Sequence, residues 1–244
     1  MKNLLSRTLF AAVCTVGLCA SFGTHAATVT LTGWAYGNGN AVNATGYNGE
    51  AGAFGGALSH AGAFDTGSFL TYCIELEEHF SFSKTGMTDY AVVDGASYFA
   101  RRRGDADIAE RLGKLMTYVA DLSTPAADAT ASSALQLAVW NTVYDSDNSL
   151  TTAGRFSDGS ALRLAADSFL AGAAGVGTSR FSVFALEKAG SQDFLLLQAN
   201  AVPEPGSLAL VLAASAGFGL AYRRRERRKS AADNSASTTN SSTL

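Results

Sequence analysis

Cysteine is scarce in this chain, with 3 among 244 residues. Two of them, Cys14 and Cys19, lie in a stretch with a basic start, an apolar run and small residues before position 27, which is the pattern of a secretory signal peptide. We predict that residues 1–26 are this signal peptide, cleaved after Ala26. Cys73 is then the single cysteine of the exported chain, which excludes an intramolecular disulfide. A buried free thiol, an intermolecular bridge and another covalent use stay open.

Histidine is also scarce, and this limits both catalysis and metal binding. After removal of the signal peptide only His60 and His79 remain, and neither belongs to a Ser/His/Asp or Cys/His set. The acidic residues Glu75, Glu77 and Glu78 lead to His79 without a second histidine at a useful spacing. We therefore predict a solvated acidic strand end there, no metal site and no cofactor.

Basic residues are few in the body of the chain. Between positions 27 and 222 there are 10 Lys and Arg against 19 Asp and Glu, a formal charge near −9. So few cations could not neutralise a phosphate backbone, which excludes nucleic acid as a partner. An acidic balance of this kind is typical of a soluble domain outside the cytoplasm.

The C-terminal part of the chain contains three successive features: Pro203, Glu204 and Pro205, then an apolar run over 206–222, then a cluster of arginines. We predict that 206–222 is a transmembrane segment with the arginines on the cytoplasmic side. Residues 203–229 together resemble the PEP-CTERM sorting signal of Gram-negative bacteria. The resemblance implies recognition by an exosortase-type enzyme, an inner-membrane intermediate, and delivery to the envelope surface or the exopolysaccharide matrix. The Ser/Thr/Asn-rich tail over 230–244 is predicted to be disordered.

Residues 27–202 form the remaining domain, and their patterns change along the chain. Alternating β-formers over 28–34, 69–76 and 89–99 predict strands, with Asp94-Gly95 as a turn. Apolar residues at helical spacing predict helices over 105–122, 127–145 and 158–175, and strands return over 180–199. The order predicts an α+β fold, in which a β-sandwich or barrel-like sheet framework carries an insertion of about three helices.

Two short motifs in this domain involve the cysteine. Tyr72 and Cys73 lie together on a predicted strand, and Gln136 lies early in a later helix, followed by apolar residues and Trp140. Over residues 28–200 this combination resembles the thioester domain of surface adhesins of Gram-positive bacteria. The resemblance implies an internal thioester in which Cys73 supplies the thiol and Gln136 the acyl group.

Other residues could support this chemistry. Strand alternation places Thr71 and Glu75 on the face of Cys73, with Tyr72 on the opposite face. Trp140 lies one helical turn from Gln136, where it could shield a thioester from water.

The leading hypothesis is therefore an exported surface or matrix protein, not an enzyme, that attaches covalently to an amine or hydroxyl on a surface or matrix polymer or protein. The alternative is a non-covalent structural or binding protein of the extracellular matrix, in which Cys73 is an inert buried thiol. A secreted carbohydrate-active enzyme is a third hypothesis, although no pair of carboxylates is singled out by the sequence.

Overall fold

The computed structural model describes residues 26–79, 82, 86–122, 126–151 and 155–200. The predictions for the sorting motif Pro203-Glu204-Pro205, the membrane segment 206–222 and the tail 230–244 lie outside these residues, as does the signal peptide before Ala26.

The described residues contain eight strands, whose β-formers alternate or are interrupted by glycine and asparagine turns. They are β1 Ala26–Trp34, β2 Asn40–Ala44, β3 Tyr47–Ala51, β4 Phe54–Ser59, β5 Thr66–Thr71, β6 Met87–Asp94, β7 Phe181–Lys188 and β8 Ser191–Ala199.

Six of these strands form one antiparallel sheet in the order β5-β4-β1-β6-β7-β8. The two ends of this order approach each other just after β5, where Cys73 forms a bridge with Phe194 of β8. Backbone hydrogen bonds from Leu195 N to Tyr72 O (2.9 Å) and from Ile74 N to Asp193 O (3.1 Å) flank the bridge. The sheet is therefore nearly closed into a barrel, which covers most of its free edges.

Four α-helices interrupt the described part of the sheet, and all of them fall between β6 and β7; a short 3-10 helix, Gly62–Phe64, lies between β4 and β5. The α-helices are α1 Gly95–Arg103, α2 Ile108–Asp121, α3 Ala129–Tyr144 and α4 Arg163–Ala174. This confirms the α+β class and the barrel-like framework with a helical insertion, although one helix more than expected is present.

Helix α3 is the central element of the insertion, because residues 132–143 are all buried. A helix that is apolar on every side is enclosed by its neighbours, and each polar side chain in it needs a partner. Ser133 Oγ donates to the Ala51 carbonyl (2.6 Å) and accepts from the Asn40 side chain (3.0 Å). These bonds attach α3 to the hairpin formed by β2 and β3.

Three local predictions were wrong. The regular strand β5 ends at Thr71, so the predicted strand over 69–76 continues only as the Cys73 bridge. The predicted strand over 89–99 ends at Asp94, and residues 95–99 belong to α1. Asp94-Gly95 does not form a turn between strands: Asp94 caps α1 by accepting from Ser97 N (2.9 Å). Aspartate favours both turns and helix N-caps, which explains why the dipeptide alone was ambiguous.

Phe194 fills the barrel behind Cys73. Its ring is fully buried, and its centroid lies 6.0 Å from that of Tyr90 and 6.2 Å from that of Phe54. We predict that Phe194→Ala lowers the free energy of unfolding by about 3–5 kcal/mol, because it removes buried ring surface and leaves a cavity. Urea unfolding measures this. Leu164→Ala is the control, since Leu164 is 67% exposed, and should change the value by less than about 0.5 kcal/mol. Equal effects of the two substitutions would contradict this description of the core.

Candidate functional site

The side-chain amide of Gln136 is hydrogen-bonded to the backbone of Cys73 in both directions. Cys73 N donates to Gln136 Oε1 (2.9 Å), and Gln136 Nε2 donates to Cys73 O (2.8 Å). Cys73 is 5% exposed and Gln136 is 1% exposed, so the contact is closed to solvent. The fold thus brings together two residues that are 63 positions apart in the chain.

The geometry of the neighbouring bridge explains why this contact forms. In an antiparallel pair, successive residues direct their backbone groups alternately toward the partner strand and away from it. Tyr72 and Ile74 bond to β8, and the N–H and C=O of Cys73 between them are directed away from β8. Because buried backbone groups require partners, Gln136 supplies the donor and the acceptor that another strand would otherwise provide.

A cavity of about 230 Å³ adjoins this contact, and both Cys73 and Gln136 line it. Its other walls combine aromatic rings with carboxyl groups: the rings belong to Trp34, Tyr47, Phe54 and Trp140, and the carboxyl groups to Glu50, Glu75 and Glu78. Among the described residues that line the cavity there is no lysine or arginine. Its lining therefore favours a ligand that has a cationic or polar group on an apolar stem.

Two aromatic side chains cover the site from the hairpin and from α3. The centroids of the Tyr47 and Trp140 rings are 5.0 Å apart, and Trp140 is 2% exposed. Tyr47 donates its hydroxyl to the Glu50 carbonyl (2.7 Å), and burial, with smaller contributions from Cys73 and Glu50, raises its pKa. No group in the described part of the chain accepts a hydrogen bond from Trp140 Nε1.

The thiol of Cys73 is neutral at rest. Burial, and to a smaller extent the charge of Glu75, raises its pKa well above the ordinary value. A reactive thiolate usually has a cation or a helix N-terminus beside it. Chemistry at Cys73 therefore requires a group that removes the thiol proton as the sulfur reacts.

Glu75 lies in the same cavity and is 4% exposed. Burial raises its pKa to about 7, and the charges of Asp193 and Glu78 add to this effect. A hydrogen bond from Asp193 N (2.9 Å) and the charge of Arg102 act in the opposite direction. Glu75 thus exchanges its proton near neutral pH, unlike an ordinary carboxyl group.

Asp193 is a buried carboxylate that sequence analysis did not identify. Its side chain accepts hydrogen bonds from the Tyr98 hydroxyl (2.7 Å), Lys188 N (2.9 Å) and Arg102 Nη2 (3.3 Å). Within the described residues, carboxylate oxygens of Glu75, Glu78 and Asp193 lie within 4.8 Å of one another and form a group that could hold a cation. These hydrogen bonds already occupy Asp193 on both oxygens, so we assign no metal to the group.

The other predicted supporting residues lie in different places. Glu75 and Trp140 line the cavity with Cys73 and Gln136. Thr71 donates its hydroxyl to the Leu195 carbonyl (2.7 Å), so it links β5 to β8 where the barrel closes and does not line the cavity. Tyr72 lines a separate apolar cavity, so among the predicted residues these two are not brought to the site.

The acidic run that follows Cys73 is solvated only in part: Glu77 and His79 are exposed, but Glu75 is buried, and the run is tied down by contacts. Glu77 is paired with Arg103 (3.0 Å) and accepts from the Tyr144 hydroxyl (2.6 Å). Glu78 accepts from Gly190 N (3.1 Å), and His79 O accepts from Gln192 N (3.2 Å). The run is thereby held against α1, α3 and the β7–β8 turn, a set of distant contacts that no local pattern indicates.

Comparison with known families finds the PEP-CTERM protein-sorting motif at residues 201–225. This match includes Pro203, Glu204 and Pro205, and it supports an exported protein that an exosortase sorts to the cell envelope. The chain matched no curated protein and no solved structure. In the described ranges, no helix is long and apolar enough to cross a membrane.

Replacement of Pro203, Glu204 and Pro205 by alanine tests the sorting motif. We expect export to continue and the unprocessed form to accumulate, because the processing enzyme loses its recognition sequence. Fractionation of the producing bacterium, followed by mass spectrometry of the C-terminal peptides, measures this. Alanine at Ser237, Thr238 and Thr239 is the control and should leave processing unchanged. Normal processing of the triple Pro203/Glu204/Pro205 variant would contradict the assignment.

The raised pKa of Glu75 makes a second prediction. A carboxyl whose pKa rises from 4.5 to about 7 on folding loses stabilising free energy as pH increases through that interval. The difference in unfolding free energy between Glu75→Gln and wild type should therefore be about 3 kcal/mol larger at pH 8 than at pH 4, in favour of the variant. Urea unfolding at both pH values measures this difference. Glu110→Gln, at an exposed position of α2, is the control and should show no such gain; a pH-independent effect of Glu75→Gln would contradict the shift.

Proposed function

We propose that the domain forms an internal thioester between Cys73 Sγ and the Gln136 side-chain carbonyl carbon Cδ, and uses it for covalent attachment at the cell surface or in the extracellular matrix. The observation that carries the proposal is the paired hydrogen bond between the Gln136 amide and the Cys73 backbone. It holds the carbonyl to be attacked beside the residue that supplies the nucleophile. The reaction occurs once per molecule, so the protein is not an enzyme in the usual sense.

The hydrogen bonds also suit the charge that develops in the reaction. When Sγ attacks Cδ, negative charge builds on Gln136 Oε1, which already accepts from Cys73 N (2.9 Å). A donor aimed at such an oxygen stabilises the tetrahedral intermediate. The sulfur–carbon bond then forms, the Cδ–Nε2 bond breaks, and Nε2 leaves as ammonia after receiving the thiol proton.

Burial would preserve the product until a partner arrives. A thioester hydrolyses slowly in bulk water, and a closed site limits this loss. Gln136 and Trp140 are almost completely buried, and the Tyr47 ring packs against Trp140. These rings form the cover that the proposal requires.

The charges of the cavity favour an amine as the incoming nucleophile. Glu50, Glu75 and Glu78 would attract the ammonium form of a lysine side chain or an amino sugar, and a neutral hydroxyl gains nothing comparable. The amine nitrogen would attack Cδ, an amide bond would form, and Cys73 would recover its thiol. The partner would thus remain linked to Gln136 through a stable bond.

A second candidate function rests on the same hydrogen bonds. Gln136 fully satisfies the backbone of Cys73, and a buried thiol with a raised pKa is unreactive. In this alternative the pair only links α3 to the segment that closes the barrel, and the exported domain is a non-covalent structural or binding protein of the matrix.

Intact mass distinguishes the two functions. A thioester protein weighs one ammonia less than its sequence, and methylamine should restore mass as an adduct on Gln136. Gln192, a buried glutamine in the same cavity, is the internal control and should stay unmodified. Cys73→Ser, a close steric match, should carry the full sequence mass and take up no methylamine.

A full sequence mass in freshly purified wild type that has met no amine, together with no uptake of methylamine, would overturn the thioester. It would leave the structural alternative. Circular dichroism of wild type and Cys73→Ser should agree, which excludes misfolding as the cause of a missing adduct.

A further inference from the structure

Thioester formation requires a proton to travel from the Cys73 sulfur to the departing Gln136 nitrogen. The thiol is neutral and buried, and the described residues lining the cavity include no lysine or arginine that could stabilise a free thiolate. His79 also lines the cavity, but it is exposed. A group in the same cavity must therefore accept the proton during attack and release it again. Glu75, two residues after Cys73, is a buried carboxyl group in that cavity.

The chain holds Glu75 firmly. Its Oε1 accepts from Asp193 N (2.9 Å), and its carbonyl oxygen accepts from Gln192 Nε2 (3.1 Å). One residue earlier, Ile74 N donates to Asp193 O (3.1 Å). The same segment of β8 also forms the bridge with Cys73. Cys73 and Glu75 are therefore both held against one strand.

Asp193, whose backbone N–H donates to Glu75, is itself held in place through its side chain. It is fully buried, and its side chain accepts from Tyr98, Arg102 and Lys188 N, which link it to α1 and to the end of β7. Its negative charge opposes ionisation of Glu75, and the charge of Arg102 partly offsets this. Glu75 also interacts electrostatically with the titratable groups Glu78, Tyr90, Tyr98 and Cys73. The cavity that it lines contains three further titratable groups, those of Tyr47, Glu50 and His79.

We infer that Glu75 is the proton carrier of thioester formation, and that Asp193 is the residue that positions and tunes it. This inference rests on the proposed thioester between Cys73 and Gln136.

The proton transfers balance within the site. The Glu75 carboxylate takes the S–H proton as Sγ bonds to Cδ, and the neutral Glu75 carboxyl then gives this proton to Nε2 as the C–N bond breaks. Ammonia leaves, and Glu75 returns to its carboxylate form. No external acid, base or oxidant is consumed.

The ionisation of Glu75 sets the expected pH dependence. Its pKa of about 7 means that the proton-accepting carboxylate becomes abundant as pH rises through 7. The rate of thioester formation should rise over the same interval and then level off. Without Glu75 the rate should rise only at higher pH, where the thiol itself ionises.

Re-formation of the thioester after ammonia treatment measures this rate. Ammonium salt at high concentration opens the thioester and restores the Gln136 carboxamide, and desalting then starts the reverse step. Loss of one ammonia, followed by intact mass from about pH 5 to pH 9, gives a rate at each pH. A positioned acid–base group contributes about 10²–10⁴-fold, so Glu75→Gln should slow the step by at least about 100-fold.

The Asp193→Asn variant tests whether Asp193 adjusts the pKa of Glu75 or only supports the fold. Removing its charge should lower the pKa of Glu75, so the midpoint of the pH–rate profile should shift to lower pH, which loss of packing alone would not cause. Glu75→Asp is a second variant, which should keep the pH dependence at a reduced rate. Glu77→Gln is the matched control, because Glu77 pairs with Arg103 outside the cavity, and its rate should stay within about threefold of wild type.

The outcomes separate the inference from the function on which it rests. If freshly purified wild type carries the full sequence mass and takes up no methylamine, the proposed thioester fails, and the inference with it. If wild type and Glu75→Gln form the thioester at the same rate and with the same pH profile, the thioester stands and the role of Glu75 is overturned. An unshifted midpoint in folded Asp193→Asn, with circular dichroism equal to wild type, would overturn the role of Asp193 alone.

Discussion

The site depends on one interaction, the double hydrogen bond between the Gln136 amide and the backbone of Cys73. Strand alternation at the barrel closure leaves the N–H and C=O of Cys73 directed away from β8. Without Gln136 these buried groups would lack partners, at a cost of about 1–3 kcal/mol each. Helix α3 is buried on all sides, so Gln136 reaches the backbone of Cys73 from inside the core.

This interaction connects structure and chemistry, because the atoms that satisfy the backbone are those of the proposed reaction. Cys73 N already donates to the oxygen that would become negative. Loss of Nε2 as ammonia would remove the donor of the Cys73 carbonyl, which opposes the reaction. The surroundings of the thiol add a second constraint. Burial, and to a smaller extent the charge of Glu75, leaves the thiol neutral, so proton transfer, not thiolate formation, becomes the step that the site must assist.

The sequence predicted the elements that have strong local patterns. Helices α2 and α3 followed from apolar spacing, and Cys73 and Gln136 were identified from short motifs. Helix α1 was missed because its sequence, Gly95–Arg103, is short, has three arginines and begins with a dipeptide that also favours turns. Asp193 was not identified because its role depends on contacts with Tyr98, Arg102 and Glu75, which are all more than 90 positions away. The sorting motif was recognisable because its residues are contiguous.

A crystal structure of the exported domain, prepared without amines, is the most direct measurement of the central claim. The account predicts continuous electron density between Cys73 Sγ and Gln136 Cδ, no density for Nε2, and Oε1 still within hydrogen-bond distance of Cys73 N. An intact carboxamide that donates to the Cys73 carbonyl, beside a separate thiol, would contradict it.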